Sequence, residues 1–404
     1  MTNPKKNVPE LRFPEFEGEW EKRKIKQLFK VVSGSTPLRS NSNYYDNGNV
    51  PWVKTTDLNN AIITQTSEKV TEAAVQNLKL KLLPKNTLLI AMYGGFNQIG
   101  RTGLLQIEAT TNQAISALLE MEDTNSKFFQ EYLNFNVKKW QRVAASSRKD
   151  PNITKKDIEN FNIPITSFKE QNKIGDFFSK LNRQIELEEQ KLALLEEQKK
   201  GYMRKIFSQE LRFKDDNGNE YPEWENKYLH EISDLNPKSN YLPDKFYYID
   251  LESVNNGQIN QLKVVNKINA PSRAQRLAKK HDVFYQTVRP YQKNNFINLS
   301  NRNDIVVSTG YAQLRPLVHY YYLYTLLLTN SFVNKVLVKC TGTNYPAINS
   351  KDLSLISILS SSVLEEQQKI GEFFNKLDQQ IELQGKKIGL LKQRKKGLLQ
   401  KMFV

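Results

Sequence analysis

The chain has 404 residues and a net charge of +16 at neutral pH. Its length allows two or three domains, and it has no run of about eighteen apolar residues that would predict a membrane span. The N-terminus lacks the apolar core of a signal peptide, and a single cysteine, Cys340, excludes an internal disulfide framework, so we expect a cytoplasmic protein. The charge predicts an anionic partner, with nucleic acid ahead of a membrane surface and solubility alone as the alternative.

The first predicted domain comprises residues 1–168. A strand-like segment, residues 50–58, follows a loop that begins with SGSTP, and residues 128–143 have a helical pattern. Residues 87–108 predict two strands separated by a glycine loop, residues 95–102. This loop resembles a phosphate-binding loop with Arg101 in the lysine position, but the apolar run after it favours a strand where a nucleotide site needs a helix. We therefore interpret it as a base-reading loop.

A long helix is predicted over residues 169–209 and a second over residues 364–404. Residues 170–207 recur as residues 366–403, at an offset of about 196, with roughly 21 of 38 positions identical. Neither copy contains proline, and apolar residues alternate at spacings of four and three, which is the heptad pattern of helices that pack side by side. The predicted seam of this helix pair comprises Leu181, Ile185, Glu188, Leu192, Leu195, Lys199, Leu377, Ile381, Gln384, Ile388, Leu391, Lys395 and Leu398.

Polar residues interrupt the seam twice in each copy, at Glu188, Lys199, Gln384 and Lys395. An antiparallel pair in which opposed residue numbers add to about 583 places Glu188 opposite Lys395 and Lys199 opposite Gln384. A parallel pair would instead oppose the two lysines. We therefore predict an antiparallel pair in that register.

The second predicted domain, residues 210–363, is not a close copy of the first, yet its ends correspond to it. The sequence LRF occurs at residues 11–13 and 211–213, and residues 346–353 resemble residues 151–158. We expect the end of the second helix to lie near the N-terminus, in a ring-like and approximately two-fold arrangement. The domain is basic, since residues 228–364 contain roughly 15 Lys and Arg against 8 Asp and Glu. The two domains match at their ends and differ in the sequence between them. This pattern predicts one scaffold that carries two different recognition surfaces.

Arginine forks and aromatic faces in the loops of both domains suit phosphates and base edges. For any single arginine, a solvated face or an internal ion pair is an equally good interpretation. We expect replacement of Arg289 or Arg315 by alanine to weaken specific DNA binding. The candidate DNA contacts are Ser35, Thr36, Arg39, Tyr44, Tyr45, Lys54, Tyr93, Asn97, Gln98, Arg101, Asn112, Gln113, Arg148, Lys149, Lys238, Arg273, Arg276, Gln286, Arg289, Tyr291, Lys293, Tyr311, Gln313, Arg315, Thr343, Asn344 and Tyr345.

The sequence predicts neither a metal site nor a catalytic centre. His230, His281 and His319 have no metal-ligand spacing with Cys340 or with one another. We find no nucleophile elbow and no dinucleotide-binding fingerprint, and the adjacent carboxylates at residues 188–189 and 215–216 are most simply solvated charges. The chain is therefore expected to bind rather than to catalyse.

Taken together, these motifs resemble the DNA-specificity subunits of type I restriction–modification systems over nearly the whole chain. The resemblance rests on the helix pattern EQxKIGxFFxKLxxQIEL and on the segments GSTP, PWVKTTDL, TTNQAI, APSRAQR, TVRPY, STGYAQLRP and GTNYPAI. It implies an α+β fold of two α/β target-recognition domains joined by two long antiparallel coiled-coil helices, with pseudo-two-fold symmetry. Each domain would read one half of a split double-stranded DNA target, and the helices would fix the gap between the halves.

The resemblance also implies partners. Two modification subunits would bind S-adenosylmethionine and methylate adenine, and restriction subunits would use ATP and magnesium to translocate DNA before cutting it. No cofactor would belong to this chain itself. The helices would dock the modification subunits through residues off the seam, unless these residues pack on the chain's own domains. Such residues are Phe177, Phe373, Leu187 and Leu383.

Two other interpretations remain open. A structural coiled-coil adaptor would use its basic domains to bind an anionic membrane or protein, and salt-dependent DNA binding without sequence preference would favour it. A self-contained nuclease or methyltransferase would need a catalytic motif, and we find none.

Overall fold

The computed structural model describes residues 7–95, 97–145, 152–239 and 241–403. The chain forms two compact units. Unit 1 comprises Met1–Glu189 together with Lys387–Val404, and unit 2 comprises Gln190–Lys386. Each unit therefore combines one globular region with a part of both long helices.

Unit 1 contains the first globular region, in which short strands alternate with short helices. Its strands are β1 (Glu21–Lys24), β2 (Phe29–Ser33), β3 (Val50–Val53), β4 (Ala61–Ile63), β5 (Glu68–Val70), β6 (Leu88–Ala91), β7 (Thr102–Leu105), β8 (Thr110–Thr111), β9 (Ile115–Glu120) and β10 (Asn162–Ile165). Its helices are α1 (Glu72–Asn77), α2 (Ser126–Phe135), α3 (Val137–Ala145), α4 (Lys155–Asn160) and the first part of α5 (Phe168–Phe207). The helical pattern of residues 128–143 is thus divided between two helices, because the first ends at Asn136.

A five-stranded sheet in the order β2-β9-β6-β7-β4 forms the centre of unit 1. Every residue of β6 and β7 is buried, as expected for apolar strands covered on both faces. Because β7 begins directly after the glycine loop, the predicted strand is confirmed and the loop does not lead into the helix that a nucleotide site needs. A three-stranded sheet, β5-β3-β8, and the antiparallel pair β1-β10 belong to the same unit.

Unit 2 contains the second globular region. Its strands are β11 (Glu225–Tyr228), β12 (Ser233–Leu235), β13 (Lys245–Ile249), β14 (Val254–Asn255), β15 (Gln258–Ile259), β16 (Lys263–Asn266), β17 (Ala274–Leu277), β18 (Val283–Gln286), β19 (Phe296–Ile297), β20 (Ile305–Ser308), β21 (Tyr311–Pro316) and β22 (Ser357–Ser360). Its helices are α6 (Leu229–Ile232), α7 (Tyr320–Leu328), α8 (Asn330–Lys339), α9 (Ser350–Ser354) and the first part of α10 (Leu364–Met402). Two four-stranded sheets, β12-β21-β18-β19 and β16-β13-β20-β17, form its centre.

The two globular regions have the same frame. An antiparallel strand pair joins the beginning and end of each region, β1 with β10 in unit 1 and β11 with β22 in unit 2. A long helix then follows each pair. The predicted α+β fold class is confirmed.

A repeated Glu-Gln pair fastens the start of α5 to unit 1. The fully buried Glu170 accepts hydrogen bonds from Arg12 Nε at 2.7 Å and Nη2 at 2.8 Å. The next residue, Gln171, accepts a hydrogen bond from the backbone N–H of Asn125 at 3.1 Å, at the N-cap of α2. Because an unpaired buried carboxylate is costly, these bonds fix the angle at which the helix leaves the globular region.

The same pair fastens the start of α10 to unit 2. The buried Glu366 accepts a hydrogen bond from Trp224 Nε1 at 2.9 Å, and Gln367 accepts one from the backbone N–H of His319 at 3.1 Å. The repeat identified these residues in the sequence without giving them a role. Their identity in both copies was the available signal, and docking of the globular region explains it.

The end of α10 packs into the core of unit 1. The ring of Phe403 lies 6.2 Å from that of Trp20 and 6.0 Å from that of Phe178, between ring centres. The backbone N–H of Leu11 donates a hydrogen bond to Lys401 O at 2.8 Å. The expected return of the second helix to the N-terminal segment is therefore confirmed within unit 1.

Candidate nucleic-acid interface

Three loops of unit 1 that were predicted to contact DNA meet at one surface. The Thr36 hydroxyl donates a hydrogen bond to Gln113 Oε1, and the Ser35 amide donates one to Thr111 O at 3.0 Å. Tyr93, just before the glycine loop, joins them because it is hydrogen-bonded to Gln113, and burial raises its pKa. Ser35, Thr36 and Gln113 are exposed, so hydroxyl and amide groups suited to base edges face solvent here.

A cluster of two cations around one carboxylate lies in the same unit. Arg39 Nη1 and Lys54 Nζ each lie 2.6 Å from a different oxygen of Glu68. The hydrogen bond from Lys54, followed by that from Arg39, holds the pKa of Glu68 below its usual range. The Arg39 guanidinium also lies 4.5 Å from the ring centre of Tyr45. Because Glu68 neutralises only one of the two cations, the cluster keeps a net positive charge for a phosphate.

Tyr44 and Tyr45 support the fold rather than present open aromatic faces. Both are half-buried and pack against the core cluster that contains Trp52. The Tyr45 hydroxyl donates a hydrogen bond to Pro37 O at 2.6 Å. We therefore correct their assignment from DNA contact to support of the loop that carries Ser35.

The other candidates of unit 1 differ in accessibility. Asn97 in the glycine loop is exposed, and its carbonyl accepts a hydrogen bond from Arg101 Nε at 3.1 Å, which braces the loop. Gln98, Arg101 and Asn112 are half-buried. Outside the described residues lie Arg148 and Lys149.

In unit 2 two loops pair to form a basic and aromatic surface. The Arg289 amide donates a hydrogen bond to Pro346 O at 2.7 Å and so joins the loop after β18 to the loop before α9. The guanidinium carbon of Arg289 lies 4.3 Å from the ring centre of Tyr345. Tyr345 and Tyr291 are 64% and 50% exposed, which makes their rings accessible to bases. Thr343 and Asn344 in the same loop are also exposed.

Five candidates of unit 2 are engaged inside the unit: Gln286, Lys293, Tyr311, Gln313 and Arg315. The buried carboxylate of Asp282 accepts hydrogen bonds from Gln313 Nε2 at 2.6 Å and from Arg315 Nε and Nη2 at 3.0 Å each. Lys293 Nζ donates to Leu328 O at 2.8 Å, and burial lowers the pKa of this lysine. Tyr311 and Gln286 are buried. Reaching DNA would break these hydrogen bonds or, for Tyr311, would remove a fully buried ring from the core. We therefore correct all five assignments, including the expectation for Arg315, to stabilisation of the fold.

The three remaining basic candidates of unit 2 differ in how exposed their side chains are. Lys238 and Arg273 are exposed, as phosphate contacts require. Arg276 is half-buried on β17, and burial lowers its pKa. Exposure alone thus leaves Lys238 and Arg273 as the better candidates for sequence-independent contacts.

The residues of the predicted helix seam are all buried or half-buried. In unit 2, Lys199 pairs with Asp378 at 2.5 Å, and three residues further along α5 the ring of Tyr202 lies 5.1 Å from that of Phe373. Residue numbers rise along one helix as they fall along the other. The antiparallel direction is therefore confirmed.

The predicted register is wrong by about one heptad. Glu188 pairs with Lys387 at 2.5 Å instead of with Lys395, and Lys199 pairs with Asp378. The residue numbers of these pairs add to 575 and 577 rather than to about 583. The prediction failed because it assumed that the polar interruptions of the two seams would face each other.

One of those polar interruptions, Lys395, pairs directly with the globular region, whereas Lys199 pairs with a residue of the other helix that is itself bonded to the globular region. In unit 1, Lys395 lies 2.8 Å from Glu131 of α2, which also accepts a hydrogen bond from Asn182 at 2.6 Å. In unit 2 the partner of Lys199 is Asp378, and Tyr321 of α7 donates its hydroxyl to the same carboxylate at 2.8 Å. Asn182 and Asp378 occupy equivalent positions of the repeat. The acidic group therefore lies on the globular region in unit 1 and on the long helix in unit 2.

The two off-seam phenylalanines pack on the chain itself. The ring of Phe177 lies 5.9 Å from that of Phe13, and the ring of Phe373 lies 5.8 Å from that of Phe213. These contacts fix the LRF segment of each unit against its helix. The alternative interpretation, packing on the chain's own domains, therefore holds for both.

Off-seam leucines of the long helices remain exposed. In unit 1, Leu187 and Leu390 are 48% and 67% exposed. In unit 2, Leu194 and Leu383 are 60% and 66% exposed. Each unit thus presents at least one exposed leucine from each long helix.

The histidines contribute to packing. The rings of His281 and Tyr320 are stacked with their centres 4.0 Å apart, and burial lowers the pKa of His281 and of His319. Among the described residues, no group of three or more His, Cys, Asp and Glu side chains is placed to hold a metal ion. In that same part of the chain, none of the helices combines the length and apolarity needed to cross a membrane.

Comparison with known proteins gives a match to one family. The sequence model of the type I restriction modification DNA specificity domain matches residues 17–197 and again residues 205–393. The chain is 25% identical to the EcoR124I/EcoR124II type I restriction enzyme specificity subunit of Escherichia coli over 174 residues, which are 43% of each chain. It is 25% identical to the MjaIX specificity subunit of Methanocaldococcus jannaschii over 244 residues, 57% of this chain and 55% of that one. The chain spans about half the length of these relatives.

Two solved structures have a similar fold. The crystal structure of the type I restriction–modification S subunit from M. genitalium gives a TM-score of 0.65 at 18% identity, over 98% of this chain and 99% of that one. A structure concerned with complex assembly and conformational transition of the type I R-M system gives a TM-score of 0.54 at 16% identity, over 95% and 97%. At these identities the likeness shows the fold alone.

Proposed function

We propose, from the premise that this chain belongs to the type I restriction modification DNA specificity family, that it selects the DNA target of a type I restriction–modification complex. The observation that carries the proposal is the duplication. The family pattern occurs twice, and each copy includes one globular region with its own loop surface. A duplicated scaffold with two different surfaces suits a target of two different parts, one read by each unit.

Affinity and discrimination come from different groups. Exposed Lys and Arg side chains release counterions from phosphates and supply affinity that depends on salt and not on sequence. Loop side chains such as Gln113 and Arg289 then read base edges, and each good bidentate pair contributes about 1–3 kcal/mol of discrimination. The helices α5 and α10 fix the gap between the two parts of the DNA target. If the gap in the DNA has the wrong length, the two units cannot bind their parts at the same time.

The chemistry belongs to partners. Modification subunits, one on each unit, supply S-adenosylmethionine and methylate adenine, and restriction subunits supply the ATP- and magnesium-dependent steps. The exposed leucines of the long helices support docking of the modification subunits, because apolar contacts of this kind are buried in stable interfaces. The chain itself is non-catalytic and acts in the cytoplasm on double-stranded DNA.

Methylation mapping tests the proposal. In cells that express this chain with its modification subunit, methylated adenine should occur within one recurring two-part sequence with a fixed gap. Cells that express the modification subunit alone are the control. They should lack this pattern, because the chain supplies the selection.

Two results would contradict the proposal. Methylation within a single uninterrupted sequence would remove the two-part reading. Salt-dependent binding to duplex DNA without sequence preference, even with the modification subunit present, would favour the coiled-coil adaptor instead.

A further inference from the structure

Corresponding loops of the two units are joined by equivalent backbone hydrogen bonds. In unit 1 the amide of Ile153 donates to Met92 O at 2.9 Å, and in unit 2 the amide of Ile348 donates to Thr287 O at 3.1 Å. Both pairs connect the loop after a buried central strand to the segment before a short helix. These bonds align the two loops residue by residue, although their sequences differ.

The residue two positions after each acceptor has a positive φ. In unit 1 it is Gly94, with φ +120°, and in unit 2 it is Arg289, with φ +54°. Glycine adopts such a backbone readily, whereas the Cβ atom of arginine makes it strained. Strain of this kind persists where the surrounding structure holds it, and it is concentrated at binding sites. At this loop position unit 1 therefore has a glycine that only allows the turn, whereas unit 2 has an arginine that adds a functional side chain.

Interior side chains hold this strained turn in place. Gln286 Nε2 donates to Val288 O at 2.7 Å and to Gln292 Oε1 at 2.8 Å. Lys293, which also has a positive φ of +54°, donates from Nζ to Asn330 Oδ1 at 2.6 Å. The turn before and after Arg289 is thus fixed by residues on three elements. A fixed backbone reduces the entropy lost when the side chain engages a ligand.

The guanidinium of Arg289 is oriented without being neutralised. Its carbon lies 4.3 Å from the ring centre of the exposed Tyr345, a stacking geometry that limits the plane of the fork. Among the described residues, no carboxylate forms an ion pair with Arg289. In unit 1, by contrast, the stacked Arg39 lies 2.6 Å from Glu68. The Nε of Arg289 is buried without a hydrogen-bond partner, so the terminal Nη1 and Nη2 groups are the donors left for an external acceptor.

We propose that Arg289 reads a guanine of the target bound by unit 2 and that Tyr345 positions its guanidinium. The inference rests on the proposed function and adds the identity of one base. Guanine presents two acceptors, O6 and N7, on its major-groove edge, and these match two parallel N–H donors of arginine. A fork held in one plane by a ring suits the two fixed acceptors of a planar base edge. Arginine also binds phosphate in a bidentate way, so the experiment below separates the two ligands.

Duplexes with single-atom changes test the assignment. The probe is the mapped target in which each guanine is replaced in turn by 7-deazaguanine, which lacks the N7 acceptor. For the full chain in its assembly with modification subunits, one such position should weaken binding about tenfold. In Arg289→Gly, which keeps the positive φ without strain, binding to the unmodified target should fall about 10- to 100-fold, and the penalty at that position should disappear.

Three variants separate positioning and charge from base reading. Arg289→Lys keeps the charge but not the fork and should lose discrimination at the same base. Tyr345→Phe should behave like the original chain, whereas Tyr345→Leu should lose part of the discrimination because the ring is gone. Arg273→Ala removes an exposed arginine of the same unit and should leave the 7-deazaguanine penalty unchanged.

Each outcome supports or overturns the inference. Loss of the penalty in Arg289→Gly, with the penalty retained in Arg273→Ala, supports it. A uniform loss of affinity for all duplexes in Arg289→Gly, with the penalty retained, assigns Arg289 to a phosphate and overturns it. A mapped two-part target without guanine also overturns it while the proposed function stands, whereas the absence of any two-part target removes the proposed function itself.

Discussion

At the scale of single residues, one glycine near the start of each long helix allows the globular region to approach. A Cβ atom built on Gly371 would lie 2.2 Å from His319 Nδ1 and 3.1 Å from the backbone nitrogen of Tyr322. A Cβ atom built on the equivalent Gly175 would lie 2.8 Å from Oδ1 of Asn125. Glycine is required at this position of the repeat because the N-cap of the neighbouring helix touches the backbone of the long one.

Gly371→Ala should therefore destabilise unit 2. Overpacking against the His319 ring and, less severely, against the backbone of α7 costs about 1–3 kcal/mol, which calorimetry would detect as a lower Tm. Gly385→Ala is the matched control, because nothing lies within 4 Å of its Cβ position in the same helix. That change should stabilise the helix by about 0.5–1 kcal/mol. Equal effects of the two substitutions would contradict the close approach.

Residue-level assignments could be predicted only in part. Glycine and aromatic loop residues stood out in the sequence, and the structure brings Ser35, Thr36, Tyr93 and Gln113 together. Arg315 was misassigned because its partner, Asp282, is 33 residues away in the sequence, and no local sequence pattern predicts that ion pair. Exposed and internally paired arginines have the same sequence signature, since burial depends on strand pairing that composition does not encode.

At the scale of elements, the heptad spacing was sufficient to predict two long helices that pack side by side, and the polar interruptions of the seam gave their antiparallel direction. The spacing was not sufficient for their register, because heptads repeat every seven residues and a shift by one heptad keeps every apolar position in the seam. Polar interruptions are then the only sequence signal for the register. Here Lys395 is directed to Glu131 of the globular region, so its pairing carried no information on the partner helix.

Lys395→Met should cost about 2–4 kcal/mol of unfolding free energy, because it leaves the carboxylate of Glu131, only 4% exposed, without its counter-ion. Lys392→Met is the matched control on the same helix. Its partner Glu189 is 46% exposed, so the cost should stay below about 1 kcal/mol. Addition of Glu131→Gln to Lys395→Met should restore part of the loss. Denaturant titration would measure all four chains, and no difference between the two lysines would refute the role of Lys395.

At the scale of the whole molecule, the long helices are expected to set the gap of the DNA target. Insertion of one heptad after Glu189 in α5 and one after Lys386 in α10 falls at the limits of the two units and so preserves the contacts inside each. It lengthens each helix by about 10 Å, which corresponds to about three base pairs. Methylation mapping should return the same two half-sites with a longer gap.

A loop insertion provides the control for this experiment. Seven residues added after Gly218, in an exposed turn between α5 and β11, should change neither the gap nor the half-sites. If the gap stays the same after both helices are lengthened, the helices do not measure the DNA.

The packing of Phe403 and Lys395 into unit 1 has a consequence for shorter chains. The equivalent positions of α5 are Phe207 and Lys199. A chain that stops just after Phe207 therefore contains both the part of unit 1 that binds a helix end and a helix end that can bind there. Two such halves should complete each other as a homodimer, which light scattering would detect. Because both halves would then carry the same reading loops, their preferred DNA should be a palindrome.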